Sequence, residues 1–282
     1  QRIAEFIAFG PVVFQVSRLM LKWGILEMLR DEELTSDEIA ERAGITKYAA
    51  KCVMEASLTI GTVLVDSDSG KFTISKVGWL LVNDPATIVD VDFNHDVNYL
   101  GMFDLETALK EGRPAGLKQL GNWSTIYEGL STLPEKAKSS WFAFDHFYSD
   151  SSFEEALNIV FASSPKTLMD VGGNTGRWAM QCVTHDKNVE VTIVDLPQQL
   201  EMMRENSSGK EGTERIHAFA TNLLDEKNGL PDSSHWDVIW MSQFLDCFSE
   251  KEILSILKRA VKVMDDDSTM YIMETLWNRQ KY

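Results

Sequence analysis

Leu168-Met169-Asp170-Val171-Gly172-Gly173-Asn174-Thr175-Gly176 is an apolar run that ends in an acid and opens into glycines. Trp178, Ala179, Cys182 and Val183 follow at helical spacing, and Val191-Thr192-Ile193-Val194-Asp195-Leu196-Pro197 is a second apolar run ending in an acid. Strand, tight turn, helix, strand is a βαβ unit, which predicts a parallel sheet with a right-handed crossover. Ligands bind such sheets at the carboxyl ends of the strands. Asp170 and Asp195 are expected at two adjacent strand ends.

The glycines narrow the ligand. A dinucleotide fold uses Gly-x-Gly-x-x-Gly. Read from Gly172, the third place is Asn174 and the sixth is Arg177, so that fingerprint fails. The pattern here is Asp-x-Gly-Gly-x-x-Gly. Its glycines leave the backbone open to close approach. An acid at the turn repels a pyrophosphate and suits an ammonium group. Asp195 is placed to accept hydrogen bonds from two ribose hydroxyls. A nucleoside with a cationic amino-acid tail meets both conditions, and S-adenosylmethionine is such a molecule. The plainer alternative is an α/β domain whose glycine turn is only structural.

Asp170-Val171-Gly172-Gly173-Asn174-Thr175-Gly176, with Val194-Asp195-Leu196-Pro197 after it, resembles the class I S-adenosylmethionine-dependent methyltransferases. More narrowly it looks like the O-methyltransferases of the plant caffeate/flavonoid and bacterial polyketide or hydroxyindole type. The resemblance covers most of the chain, including an N-terminal helical region.

The 282 residues suffice for one large domain or two ordinary ones. Apolar content of 44% and charged content of 25% describe a globular protein. A net charge of −16 argues against nucleic acid or an anionic membrane as partner. Cys52, Cys182 and Cys247 are far apart, show no metal spacing and form no disulfide framework, so a cytoplasmic setting is expected. No apolar run approaches the roughly 20 residues a membrane span needs.

Residues 1–95 read as a winged-helix-like dimerisation domain. Val12, Val16, Leu19, Met20, Trp23, Leu26 and Leu29 predict one long helix over 11–30, with Pro11 near its start. Thr35 with Glu38 three residues on is a helix-start signal, and Gly44 stops that helix. Thr46 caps a second helix over 47–60. Val63-Leu64-Val65, a turn at 66–70 and Phe72-Thr73-Ile74 then form a hairpin. Helix, helix, wing can read DNA, but residues 1–95 carry 9 Lys/Arg against 14 Asp/Glu, the wrong sign for that role. The resemblance implies instead a dimerisation domain and a homodimer. A self-contained helical domain is the third possibility.

Residues 96–162 read as connecting helices, grouped with a Rossmann-like core at 163–282 into one methyltransferase domain, 96–282. A helix is predicted over 97–109, ending before Gly112-Arg113-Pro114. The aromatic helix around Trp141-Phe142-Ala143-Phe144-Asp145-His146-Phe147-Tyr148 is core by composition. In the resembled family it lines the cleft between cofactor and acceptor, where Phe-Asn-x-x-Met is common. Here Asp145 and Tyr148 depart from that pattern. His146 is a candidate catalytic residue; a satisfied core or surface histidine is the alternative.

Strands are further predicted over 216–220, 236–241 and 269–274, with Ser249 and Glu252 boxing the start of a helix over 250–263. Thr221-Asn222-Leu223-Leu224 stands where the family has Gly-Asp-Met-Phe, so Asn222 and Leu223 are implied adenine contacts. Ser242-Gln243-Phe244-Leu245-Asp246-Cys247-Phe248-Ser249-Glu250 stands where the family has Leu-His-Asp-Trp-Ser-Asp-Glu, with the histidine as general base. Asp246 takes that place. The candidate cofactor set is therefore Asp170, Gly172, Gly173, Gly176, Asp195, Leu196, Asn222, Leu223 and Ser242. The catalytic candidates are Asp246 and His146, and no metal is expected. The family's sheet has seven strands and five are counted here, so the last two are expected outside these residues.

Methyl transfer is an in-line displacement that gains most from positioning. A base matters when a hydroxyl must lose its proton. Histidine, at about 6.5, suits that work better than an exposed aspartate at about 3.9. Three readings follow. Burial beside other acids raises Asp246 into range; or His146 or another group serves, or the acceptor needs no base; or the domain binds the cofactor and barely catalyses. The expected activity is S-adenosylmethionine-dependent O-methylation of a small aromatic hydroxyl. The alternative is a non-catalytic S-adenosylmethionine-binding protein or winged-helix regulator.

Overall fold

The computed structural model describes residues 1–232, 235–276 and 279. Contacts divide the chain into two compact units, 1–144 and 145–282. The division is therefore not at the expected 95/96 boundary. Side chains of 92–140 close onto the N-terminal helices: Arg18 pairs with Asp92 at 2.6 Å, and the Phe14 and Tyr99 rings stack at 5.2 Å. Asp96, nearly buried, accepts from Ser140 Oγ at 2.7 Å and pairs with His95 and Lys136.

In the first unit the long helix predicted over 11–30 is two, Gly10–Lys22 and Ile25–Asp31, preceded by a further helix Arg2–Ala8. Gly24 breaks it, at φ 66°, a left-handed conformation that costs glycine little. Ser36–Ala43 starts with the expected Thr35–Glu38 capping box and ends at left-handed Gly44. Lys47–Ile60 is capped by Thr46 and buries Ala50, Val53, Met54 and Ser57. The antiparallel hairpin β1 (Val63–Val65) and β2 (Phe72–Ile74) completes the order that the sequence predicts. The helix expected over 97–109 is replaced by a π turn at Asn94–Asn98, a 3-10 turn at Gly101–Asp104 and a short helix Leu105–Glu111.

The second unit is a five-stranded sheet of β3 (Thr167–Val171), β4 (Glu190–Asp195), β5 (Ile216–Ala220), β6 (Val238–Ser242) and β7 (Thr269–Met273). All pairings are parallel, in the order β5-β4-β3-β6-β7. Each strand alternates between two cores, as the period of two demands. Leu168, Val191, Ile193, Val238 and Trp240 pack with Trp178, Ala179, Cys182 and Leu200. Met169, Val171, Val194, Ile239 and Met241 pack with Ile256 and Ala260. The chain runs outward through β4 and β5, then returns to β6 on the other side of β3. The topological switch point thus lies between β3 and β6, where ligands of such sheets bind. Asp170 shares Leu168's face and is only 2% exposed. Ser249 and Glu252 box the start of Glu250–Lys262 as predicted.

Ile239 is fully buried in the middle of the sheet. Ile239→Ala should cost about 2–5 kcal/mol, through lost burial and the cavity left behind. Leu254→Ala, on the exposed side of Glu250–Lys262, should stay within about 0.5 kcal/mol of wild type. Urea melts of the two variants check the contrast.

Candidate active site

The turn after β3 is built by conformation first. Gly172 (φ 78°) and Gly176 (φ 79°) are left-handed, as is Asn174 (φ 49°), one of the residue types that tolerates it. Gly172 N–H donates to Val194 O at 2.8 Å, and Gly176 N–H closes the turn on Gly173 O at 2.9 Å. The missing Cβ atoms make room for protein. A Cβ on Gly172 would meet the Phe244 ring at 2.3 Å, one on Gly173 would meet Asp170 Oδ2 at 2.5 Å, and one on Gly176 would meet Met203 Cγ at 2.6 Å.

Two carboxylates flank this turn. Asp195 Oδ2 accepts from Asn174 N–H at 2.8 Å, and its Oδ1 from Leu196 N–H at 2.7 Å. Asp170 Oδ2 is buried and meets no donor among the described residues. Burial, then the charge of Asp195, pushes Asp170 up to about 8. Burial raises Asp195 to about 6, against the pull of its two backbone amides. The sequence brings these acids together; the unmet oxygen is what the fold adds.

The end of helix Glu135–Asp150 meets the turn through three successive pairs. Asn174 Nδ2 donates to Asp145 Oδ2 at 3.1 Å, His146 Nε2 lies 3.1 Å from Thr175 Oγ1, and Arg177 bridges to Asp150. Burial lifts Asp145 to about 6. Burial, then the Arg177 charge, lowers His146 to about 4, so the imidazole is neutral near pH 7.

At the end of β6, Ser242 is followed by Gln243 at φ 47°, a left-handed non-glycine residue, and then by the 3-10 turn Leu245–Cys247. Asp246 lies exposed on this turn, where Cys247 Sγ donates to its Oδ1 at 3.2 Å. The burial beside other acids that the sequence reading asks of Asp246 is not present. Sequence reading overlooked Glu274, which follows β7. Its Oε1 accepts from the backbone N–H groups of Phe244 (2.9 Å) and Leu245 (2.8 Å), its Oε2 is buried with no partner among the described residues, and burial raises its proton affinity. It carries the same signal as Asp170 and Asp195, an acid ending an apolar strand.

Beyond β5, Asn222 Oδ1 accepts from Leu224 N–H at 2.9 Å inside its own turn, and Leu223 is core, 8% exposed. Arg259, also unforeseen, clamps this loop by donating to the carbonyls of Leu223, Asp225 and Asn228.

The donor set suits a cationic nucleoside. Among the described residues, five of the eight buried side-chain polar atoms without a partner belong to Asp170, Asn174, Gln199 and Glu274, at or just beyond the strand ends or in the turn. Such atoms call for a ligand or water. The cation nearest the turn, Arg177, is already paired. No described group of three His, Cys, Asp or Glu is arranged for a metal.

Sheet order, switch point and turn are those of a class I methyltransferase. A Dimerisation2-like domain family matches residues 1–72, and a methyltransferase domain family matches residues 169–270. N,N-dimethyltransferase OxyT of Streptomyces rimosus is 26% identical over 71% of this chain, which spans 59% of that relative. The 3-hydroxy-5-methyl-1-naphthoate 3-O-methyltransferase of Streptomyces sahachiroi is 22% identical over 98% of this chain and 77% of its own length. The solved mitomycin 7-O-methyltransferase MmcR shares the fold, with a TM-score of 0.74 at 18% identity over 96% of this chain and 78% of its own. The chain thus joins a Dimerisation2-like domain to a methyltransferase domain, in a fold shared with solved methyltransferases.

Asp170 binds its proton more tightly folded than unfolded, from 3.8 up to about 8. Its contribution therefore favours the folded state at low pH and is lost as pH rises through that window. Asp170→Asn removes the titration. Urea melts should show the variant gaining on wild type between pH 5 and pH 8; a difference independent of pH contradicts the burial of that charge.

Proposed function

We propose that this chain transfers a methyl group from S-adenosylmethionine to a hydroxyl on a small aromatic acceptor. One observation carries the reading: a glycine turn held between buried Asp170, with an oxygen that meets no donor among the described residues, and half-buried Asp195. The sulfonium donor supplies an electrophilic methyl group, and the rest is binding and positioning. Asp195 keeps acceptor capacity for two ribose hydroxyls beside its two backbone donors. Asp170, Gly172, Gly173 and Gly176 form the wall for the amino-acid tail. Leu196, Asn222 and Leu223 frame the adenine, with Asn222 offering an acceptor to its amine. Ser242 ends the strand at the switch point.

Asp246 is the proposed proton acceptor, at the strand end on the turn that Glu274 pins; exposed in the free chain, it gains the burial a base needs only when an acceptor covers it. His146, neutral and paired with Thr175, steadies the turn and is the second candidate. An aromatic acceptor agrees with the naphthoate substrate in the name of one relative and with the acetylserotonin of another, from Gallus gallus, 22% identical over 98% of this chain and 83% of its own length. The proposed assembly is a homodimer. The matched dimerisation domain and the exposure of Ile3, Ile7, Phe9 and Val12 on the first helices support it. No single described helix is long and apolar enough to cross a membrane. Three free cysteines suit a reducing compartment such as the cytoplasm.

A panel of phenols incubated with methyl-labelled donor tests the reading: label should enter at least one hydroxyl, and label in none would reject it. With an accepted phenol in hand, Asp246→Asn should lower turnover roughly 100-fold, the scale of a lost general base. Unchanged turnover across pH would exclude Asp246 from that role.

A further inference from the structure

Asn174 hydrogen-bonds two acids beside the turn. Its backbone N–H is on Asp195 Oδ2 at 2.8 Å, and its side-chain Nδ2 is on Asp145 Oδ2 at 3.1 Å. Its Oδ1 is sealed from water and meets no donor among the described residues. The direction of an amide follows from its neighbours. A carboxylate only accepts, so the NH2 end must face Asp145 and the oxygen must face away. Asp170 Oδ2, the other unmet acceptor of the turn, packs against Gly173, where a Cβ would meet it at 2.5 Å. Two unmet acceptor oxygens in one turn, with the adjacent Arg177 already paired to Asp150, call for an N–H donor that carries positive charge.

We propose that Asn174 is a specificity-determining residue for the donor's amino-acid tail: its Oδ1 accepts a hydrogen bond from the α-ammonium group, and Asp145 is the positioning residue that holds the amide in that orientation. The proposal rests on the donor reading above. Neither residue is among the binding or catalytic candidates that the sequence nominates. Asp150 and Arg177, which pair with each other, and Asp246 are the other charges felt at Asp145.

Calorimetric titration with two ligands tests it. S-adenosylhomocysteine carries the ammonium group; methylthioadenosine has the same nucleoside and lacks the tail. Asn174→Gly keeps the left-handed backbone and the N–H to Asp195. It should weaken S-adenosylhomocysteine about tenfold, which is about 1.4 kcal/mol, and leave methylthioadenosine within about twofold. Asp145→Asn, which frees the amide to turn, should weaken S-adenosylhomocysteine about threefold with methylthioadenosine again unmoved. Equal loss of both ligands in Asn174→Gly, or no loss of either, overturns the role of Asn174. An unmoved Asp145→Asn overturns the positioning role. A wild-type chain that binds neither ligand overturns the donor reading itself.

Discussion

Two backbone amides converge on one carboxylate, and the site depends on that convergence. Asp195 ends β4 and collects the N–H of Leu196 beside it and of Asn174 in the neighbouring turn. The two bonds tie the second strand end to the glycine turn of the first. Burial raises the cost of the charge they surround. With Asp170 buried on the adjacent strand, the protein sets two like charges where neither is comfortable. A cation relieves that arrangement, and a nucleoside with a cationic tail fits where a pyrophosphate does not.

The turn also explains its own glycines. Close approach of a ligand is the usual argument, but here the Cβ directions are taken by Phe244, Asp170 and Met203. Phe244 ends a chain of contacts that starts at Glu274, whose carboxylate fixes the amides of residues 244 and 245 beside left-handed Gln243. The far strand of the sheet is thereby connected to the turn of the central one. Asp246 belongs to that same pinned segment.

Much of this was legible in the chain. Apolar runs ending in Asp170 and Asp195 gave the βαβ unit. The Thr35–Glu38 and Ser249–Glu252 boxes placed two helix starts, because capping is a local interaction. Local signals failed where the competing residue was equally local but weaker in pattern. Gly24 divides a run of apolar residues whose periodicity alone predicts one helix. Asn94–Asn98 widens into a π turn and Gly101–Asp104 tightens into a 3-10 turn, neither of which periodicity distinguishes from an α-helix. Contacts between distant residues were out of reach. Asn174 with Asp145, Arg259 on the 223–228 carbonyls and Asp96 with Ser140 join positions that no spacing rule connects. The boundary at 144/145 follows from such contacts, and so it too was hidden.

A crystal structure of the chain with S-adenosylhomocysteine tests the central claim most directly. It should show both ribose hydroxyls on the Asp195 carboxylate and the amino-acid tail laid along residues 170–176. A nucleoside bound elsewhere, or a nicotinamide in that crevice, would contradict it.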